Sequence, residues 1–333
     1  MKTFIIAEAG SNHDKDLNQA FKLVDAAKSA GADAVKFQIF SSNTLYAKDT
    51  PNFGGYTNIN ELMASLELPR EWVKTIKDYC DKKDIEFMAT PFDEEAIQQL
   101  CDLEVKKLKI AGFESTDLRF VELVASTGLP LIISAGIGCS LSFIGKIIDV
   151  CHKQKNYDIT MLHCNNAYPT PQEDINLGTI KNIYDTYKDR GLKVGLSDHT
   201  LSTLTPSLAV ALGASVIEKH FTISKKLPGP DHAFAMEPDE LKQMCEHIRL
   251  AEVSFATKEG IYTSSEEHFK FARRSVVSKT FIAKGEAFSE ENTTTSRPFL
   301  ENAVAAEKYH SIIGKIATRD IEARNTIRED DLK

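Results

Sequence analysis

From residue 3 to about residue 257, short apolar or β-branched runs alternate with longer stretches of helical period, the pattern of parallel strands joined by crossover helices. The runs span 3–8, 34–38, 86–90, 107–111, 129–135, 159–164, 193–198 and 215–221. Eight of them predict a closed (β/α)8 barrel, a TIM barrel, in residues 1–257. The first helix shows the local logic. Asp16 can cap it, Leu17, Ala20, Phe21, Val24 and Ala27 share one face, and Gly31 ends it. An open doubly wound sheet is the rival fold, but Glu8-Ala-Gly-Ser-Asn-His13 stands where its G-x-G-x-x-G phosphate loop would be. The polar stretch 41–60, with Pro51, Gly54 and Gly55, reads as a long βα loop placed to act as a lid or binding loop.

After Ala256 the pattern breaks into polar residues, so 258–274 is expected to be a linker and 275–333 a second small domain. Two segments of that domain, 282–291 and 321–330, echo each other as strand, turn, apolar residue and acidic pair. About sixty residues is marginal for independent stability, so the domain is expected to dock on the barrel or on a second chain.

Composition narrows the partners. Of 333 residues, 42% are hydrophobic and 26% charged, which excludes a disordered chain. Forty Lys and Arg against 48 Asp and Glu give a net charge of −8, which argues against nucleic acid. Glu8 interrupts the first apolar run before it could form a signal-peptide core, and no later run approaches the ~20 residues of a membrane span. A cytoplasmic protein with no membrane partner is expected. The six cysteines show no paired spacing and read as reduced thiols.

Chemistry in such a barrel belongs at the C-terminal strand ends, and each predicted strand carries hydrogen-bonding groups there. These are Glu8 with Asn12 and His13, Lys36 and Gln38, Thr90, Lys109, Ser134, Asn166 and Tyr168, Ser197 with His199, and Glu218 with His220. Lys36 and Lys109 interrupt otherwise apolar strands, where an unpaired ammonium is costly, so each needs an anionic partner. A substrate phosphate or carboxylate would serve, and so would a structural ion pair with Glu8 or Glu114. The strand period of two turns Glu218 and His220 to one side, and His199 closes the preceding strand, so the two imidazoles could share a cation. Two nitrogens completed by oxygen suit an octahedral Mn²⁺-like or Co²⁺-like site better than a structural zinc. His152, His163, His247, His268 and His310 read as ordinary core or surface residues. In the stiff segment 227–232, Asp231 and His232 either project over the barrel mouth or form a plain turn.

In this order the motifs resemble the sialic acid synthase family: AEAGSNH (7–13), VKFQ (35–38), TPFD (90–93), KIAGFE (109–114), HCNNAYPTP (163–171), GLSDHT (195–200), IEKHF (217–221) and GPDH (229–232). The tail resembles the antifreeze-like, or SAF, domain that closes such chains. The resemblance implies condensation of phosphoenolpyruvate with an N-acylated hexosamine, giving a nine-carbon 2-keto acid and phosphate by C–O cleavage. It implies that Lys36, Thr90, Lys109, Ser134, Asn166 and Ser197 bind phosphoenolpyruvate, and that Gln38, Glu114, Tyr168 and Asp231 meet the sugar. His199 and His220 would hold a divalent metal, Mn²⁺ first, with Co²⁺ or Mg²⁺ as substitutes; Glu8 and Glu218 would orient water or the reacting groups. Arg297 would reach the sugar from the SAF domain of a partner, in a domain-exchanged homodimer. Two features depart from the family pattern and one from the internal repeat. Gly112 replaces a serine, Phe299-Leu300-Glu301 replaces Gly-x-Gly after Arg297-Pro298, and Arg324 stands where the first copy of the repeat has Gly285, which predicts a differently built last turn. The sugar is left between N-acetylmannosamine and the 2,4-diacetamido-trideoxyhexoses. A metal-dependent barrel hydrolase would need a His-x-His where Ser11-Asn12-His13 stands; a non-catalytic sugar binder would have no use for two lysines inside a barrel.

Overall fold

The computed structural model describes residues 2–51, 58–257 and 259–333. The chain divides into two compact units, Met1–Phe255 and Ala256–Lys333.

In the first unit eight parallel strands are found among the described residues: β1 (Phe4–Gly10), β2 (Ala34–Ile39), β3 (Glu86–Pro91), β4 (Leu108–Ile110), β5 (Leu131–Ala135), β6 (Ile159–Cys164), β7 (Lys193–Asp198) and β8 (Val216–His220). Their hydrogen-bonded order is β3-β2-β1-β8-β7-β6-β5-β4, and β3 lies beside β4 to complete the barrel. Helices follow the strands as the periodicity predicts. In the helix Leu17–Ala30, the Asp16 carboxylate accepts from Asn18 N, Ala20, Leu23, Val24 and Ala27 are buried, and Gly31 closes the end at φ 89°. That residue needs glycine's access to the left-handed region.

Side-chain alternation divides each strand. One set, including Ile5, Ala7, Val35, Phe37, Leu108 and Ile110, packs against the helices. The other points into the barrel, where Ile6, Ala34, Met88, Ile132, Leu162 and Val216 form an apolar floor. Two residues further along these strands the interior turns polar at Glu8, Lys36, Thr90, Ser134 and Glu218, all buried. The floor therefore fixes the depth at which the chemistry sits.

The stretch 41–60 is less of a loop than its polarity suggests. It contains the short helix Ser42–Leu45, and the helix Ile59–Leu66 starts within it. Asn58 caps that helix at Glu61 N, and Ile59, Leu62, Met63 and Leu66 recur at helical spacing. The portion holding Gly54 and Gly55 lies outside the described residues, as does residue 258 at the start of the expected linker.

The second unit is built around a core of Val276, Ile282, Phe288, Val304, Ile312, Ile321 and Ile327. Strands β9 (Ser275–Ser278) and β10 (Thr293–Ser296) pair antiparallel. The sequence echo is a structural pairing, because Ile282 and Ile321 exchange backbone hydrogen bonds of 2.9 and 2.8 Å. Its turns are alike rather than different: Arg324 adopts φ 66° where Gly285 adopts φ 88°, so the arginine accepts a left-handed backbone to keep the repeat. The described residues of 259–274 belong to this unit. Phe271 O accepts from Phe299 N at 2.9 Å, and the Arg273 guanidinium lies 4.7 Å from the Phe299 ring centre. No helix among the described residues is long and apolar enough to cross a membrane.

Gly195 is a closely packed point of the barrel wall. A Cβ there would overlap the Val216 carbonyl oxygen of β8 and lie 2.5 Å from Leu162 Cδ2 of β6. Gly195→Ala is expected to destabilise the barrel by about 3 kcal/mol, read as a lower urea midpoint at unchanged slope. An unchanged midpoint would mean that the wall is looser than described.

Candidate active site

Four buried charges meet above the apolar floor. Lys36 Nζ lies 2.7 Å from Glu8 Oε2 and 3.6 Å from Glu218 Oε2, and it donates to Thr90 Oγ1 at 2.8 Å. Lys109 Nζ donates to Ser134 Oγ at 2.8 Å and to Ile110 O at 2.9 Å, with Glu218 Oε1 no nearer than 3.6 Å. Ser197 Oγ donates to Glu218 Oε1 at 3.0 Å, and Gln38 Nε2 to Glu8 Oε1 at 2.8 Å. The lysines are thus paired with Glu8 and Glu218. Glu114, the other expected partner, makes no such ion pair.

Burial acts on these groups unequally. For Lys36, desolvation opposes the charge, but attraction to Glu218 and Glu8 outweighs it and raises the pKa. Lys109 ends below its ordinary value because desolvation is only partly offset by Glu218. Glu8 is raised, chiefly by desolvation, against the pull of Lys36. Glu218 is equally buried, yet the two lysines hold it below the usual carboxylate range. Two neighbouring carboxyls with opposite tendencies can divide proton-holding and charge-holding roles between them.

Around Lys109 sit the hydroxyls of Ser134 and Ser197 and a residue the sequence reading passed over. Cys164 ends β6 within reach of both hydroxyls, and burial pushes its thiol up to about 11. Its parity was the available signal, since it lies two residues from Leu162 of the barrel floor. Asn166 Oδ1 accepts from Ile137 N at 2.8 Å. Its amide occupies the space beside Gly112, where a Cβ would lie 2.9 Å from Asn166 Nδ2. Gly112 therefore leaves room for the Asn166 carboxamide.

The two histidines lie at the rim, their ring centres 5.4 Å apart, with the Tyr168 ring 4.3 Å from His199. His199 Nδ1 meets Asn165 O at 2.7 Å, which puts the proton on Nδ1 and frees Nε2. His220 Nδ1 is buried without a hydrogen-bond partner among the described residues. Burial pushes His199 down to about 4 and His220 well below its ordinary value, so both rings are neutral near pH 7, the form a cation requires. No cluster of three or more His, Cys, Asp or Glu side chains among the described residues is arranged to hold a metal. The donor set is a pair of neutral nitrogens, which fits a cation that takes its remaining ligands from water and substrate.

A cavity of about 530 Å³ opens beside this pair. Its lining mixes polar Gln38, Tyr46, Glu114, Tyr168, His220 and Asp231 with apolar Leu45, Leu62, Met63, Leu66, Phe92 and Phe234, the last lying 5.4 Å from the Tyr168 ring and 5.2 Å from the His220 ring. Glu114 Oε2 has no hydrogen-bond partner among the described residues, and burial raises its pKa. Arg297 lies in the second unit, exposed and without an ion-pair partner among that unit's described residues. A second cavity of about 400 Å³ lies at the opposite strand ends near Phe4, Asp33 and Glu86. Both of those carboxylates are already paired, Asp33 with Lys2 and Arg249 and Glu86 with Lys107.

Comparison with known proteins gives the same picture from another side. The NeuB family model matches residues 23–260, and the SAF domain model residues 273–333. The chain is 40% identical to N,N'-diacetyllegionaminic acid synthase of Campylobacter jejuni subsp. jejuni serotype O:2, over 98% of this chain and 99% of that protein. It is 37% identical to pseudaminic acid synthase of Campylobacter jejuni subsp. jejuni serotype O:23/36, over 100% of this chain and 97% of that protein. The crystal structure of N-acetylneuraminic acid (sialic acid) synthetase from Leptospira borgpetersenii serovar Hardjo-bovis, in complex with citrate, superposes with a TM-score of 0.72 at 33% identity, covering 81% of this chain and 90% of that one.

Asp231 generates a pH-dependent prediction. Burial raises its carboxyl from 3.8 to about 6. The folded state therefore holds that proton more tightly than the unfolded chain, a contribution present below about pH 4 and lost as pH rises through about 6. Asp231→Asn lacks this loss. Its melting temperature relative to the wild type is expected to climb between pH 4 and 7; a constant difference would place Asp231 in water.

Proposed function

The chain belongs to the NeuB family, and on that footing we propose that it is a nonulosonic acid synthase condensing phosphoenolpyruvate with an N-acylated amino sugar. One observation carries the reading. The Lys109 ammonium is fully buried, held by two neutral acceptors, and its nearest carboxylate oxygen is 3.6 Å away. Such a cation is costly unless an anion arrives, and phosphoenolpyruvate brings a phosphate and a carboxylate.

In the proposed reaction Lys36 with Thr90, and Lys109 with Ser134, Ser197 and Asn166, bind the two anionic ends and expose the enol carbon to the cavity. That carbon attacks C1 of the open-chain sugar, and positive charge develops at C2 of the former enol ester. Glu218, kept ionised by the lysines, stabilises that charge. Glu8, the carboxyl with the raised pKa, accepts the proton of the water that adds to C2. The C2–O bond then breaks as the new C2 hydroxyl gives up its proton, phosphate departs with the bridging oxygen, and a 2-keto acid remains; the two protons of the added water end on the former aldehyde oxygen and on the phosphate. His199 and His220 would hold a divalent cation, Mn²⁺ before Co²⁺ or Mg²⁺, which when bound supplies Lewis acidity toward the aldehyde oxygen.

The apolar lining of the cavity favours a 2,4-diacetamido-2,4,6-trideoxyhexose over N-acetylmannosamine. Leu45, Leu62, Met63, Leu66 and Phe92 offer contact to a C6 methyl and acetamido methyls. The named legionaminic and pseudaminic acid synthases support that choice. We further propose a homodimer in which Arg297 of the partner subunit completes the sugar site from an exchanged SAF domain.

Phosphate release with phosphoenolpyruvate and Mn²⁺ tests the reading across N-acetylmannosamine and the two diacetamido-trideoxyhexoses that lead to legionaminic and pseudaminic acid. One trideoxy sugar should exceed N-acetylmannosamine in kcat/KM by about tenfold or more. Exhaustive chelation should abolish turnover and Mn²⁺ restore it. Phosphate release from none of the sugars would refute the condensation.

A further inference from the structure

The segment Gly229-Pro230-Asp231-His232 contains a second group that the reaction does not use. Asp231 faces the cavity and accepts from the Ser11 backbone. His232 turns the other way and is buried. Its Nε2 lies 2.9 Å from Asp14 Oδ1, and its Nδ1 lies 2.6 Å from Thr222 Oγ1. Asp14 Oδ2 is taken by Gln19 Nε2 at 2.6 Å, and the same amide reaches Asn12 O at 2.9 Å. A carboxylate only accepts, so in the neutral ring Nε2 carries the proton and Nδ1 accepts from the Thr222 hydroxyl. Thr222 Oγ1 in turn accepts from Ser224 N at 3.2 Å.

This constellation has the composition of a nucleophile, base and acid, but Thr222 is fully buried and cannot meet a substrate. Its geometry is that of a fastening. Asp14 belongs to the segment after β1, Thr222 to the segment after β8, and His232 to the loop carrying Asp231, so one imidazole ties all three together. The loop has little slack, because Pro230 fixes one dihedral and Gly229, at φ 132°, packs so closely that a Cβ would lie 3.0 Å from His232 Cδ2.

We propose that His232 is a positioning residue for the amino-sugar half of the site, acting through Asp231 and anchored by Asp14 and Thr222. The proposal rests on the condensation reading above, with Asp231 as a sugar contact. It predicts a division between the substrates, since the side chains assigned to the anion, Lys36, Thr90, Lys109, Ser134, Asn166 and Ser197, come from β2 to β7 and their ends, whereas the fastening joins the segments that follow β1 and β8.

The test is steady-state kinetics on the full-length protein with both substrates varied, alongside thermal midpoints. His232→Ala and Asp14→Ala should each raise KM for the sugar by about tenfold or more and leave KM for phosphoenolpyruvate within about twofold. His232→Gln, whose amide can still donate toward Asp14, should recover part of the loss. If His232→Ala does not fold, the other two variants decide on the same division. Equal rises in both KM values, or an unchanged sugar KM in folded variants, would overturn the role of His232. A wild-type protein that turns over none of the sugars would instead overturn the condensation reading.

Discussion

Two lysines and two glutamates are enclosed together at one end of the barrel, and the rest of the site depends on how they neutralise one another. Each charge would cost several kcal/mol if buried alone. Glu8 offsets Lys36 at 2.7 Å, while Glu218 stands 3.6 Å from both ammonium groups. The cluster is formally neutral but unevenly shared, because Lys109 leans on a hydroxyl and a carbonyl. A protein selected only for stability has a simpler solution in apolar side chains of similar volume. On the function proposed above, the arrangement is a seat whose cations are kept in place until an anion takes over from Glu218.

The strand pattern builds this seat and its surroundings with the same period. Residues two apart share a face, so the floor residue Ile6 is followed by Glu8, and Ala34 by Lys36. On β7 and β8, Ser197 and Glu218 meet inside the barrel, while Asp198 and Lys219 form a buried ion pair of 2.7 Å on the opposite face. Register therefore does two jobs. It aligns the strands and brings His199 and His220 to one rim, beside a cavity lined by both polar and apolar side chains.

Much of this was legible because burial on both faces makes a parallel strand an apolar run, in which a lysine is conspicuous. Strand order, the first helix and the polar strand ends could be read in that way. Of the lysines' partners, Glu8 could be named beforehand and lies 2.7 Å from Lys36, whereas Glu218 could not. Glu218 and Glu114 are equally plausible along the chain, and only distance across the barrel separates them. Cys164 escaped notice because a cysteine in an apolar strand looks like core. The helix Ile59–Leu66 was hidden by the polar residues before it, and Arg324 by the rarity of a left-handed arginine. A paired set of imidazoles could be inferred from strand parity, whereas the spare Nε2 of His199 depends on a carbonyl of Asn165, which no side-chain pattern encodes.

The central claim is that Lys36 and Lys109 form the anion seat, and calorimetric titration with phosphoenolpyruvate alone, without sugar, tests it most directly. The account predicts saturable binding to the wild type and a loss of about a hundredfold or more in Lys109→Met, with the far-ultraviolet dichroism unchanged. Equal affinity in the two folded proteins would contradict it.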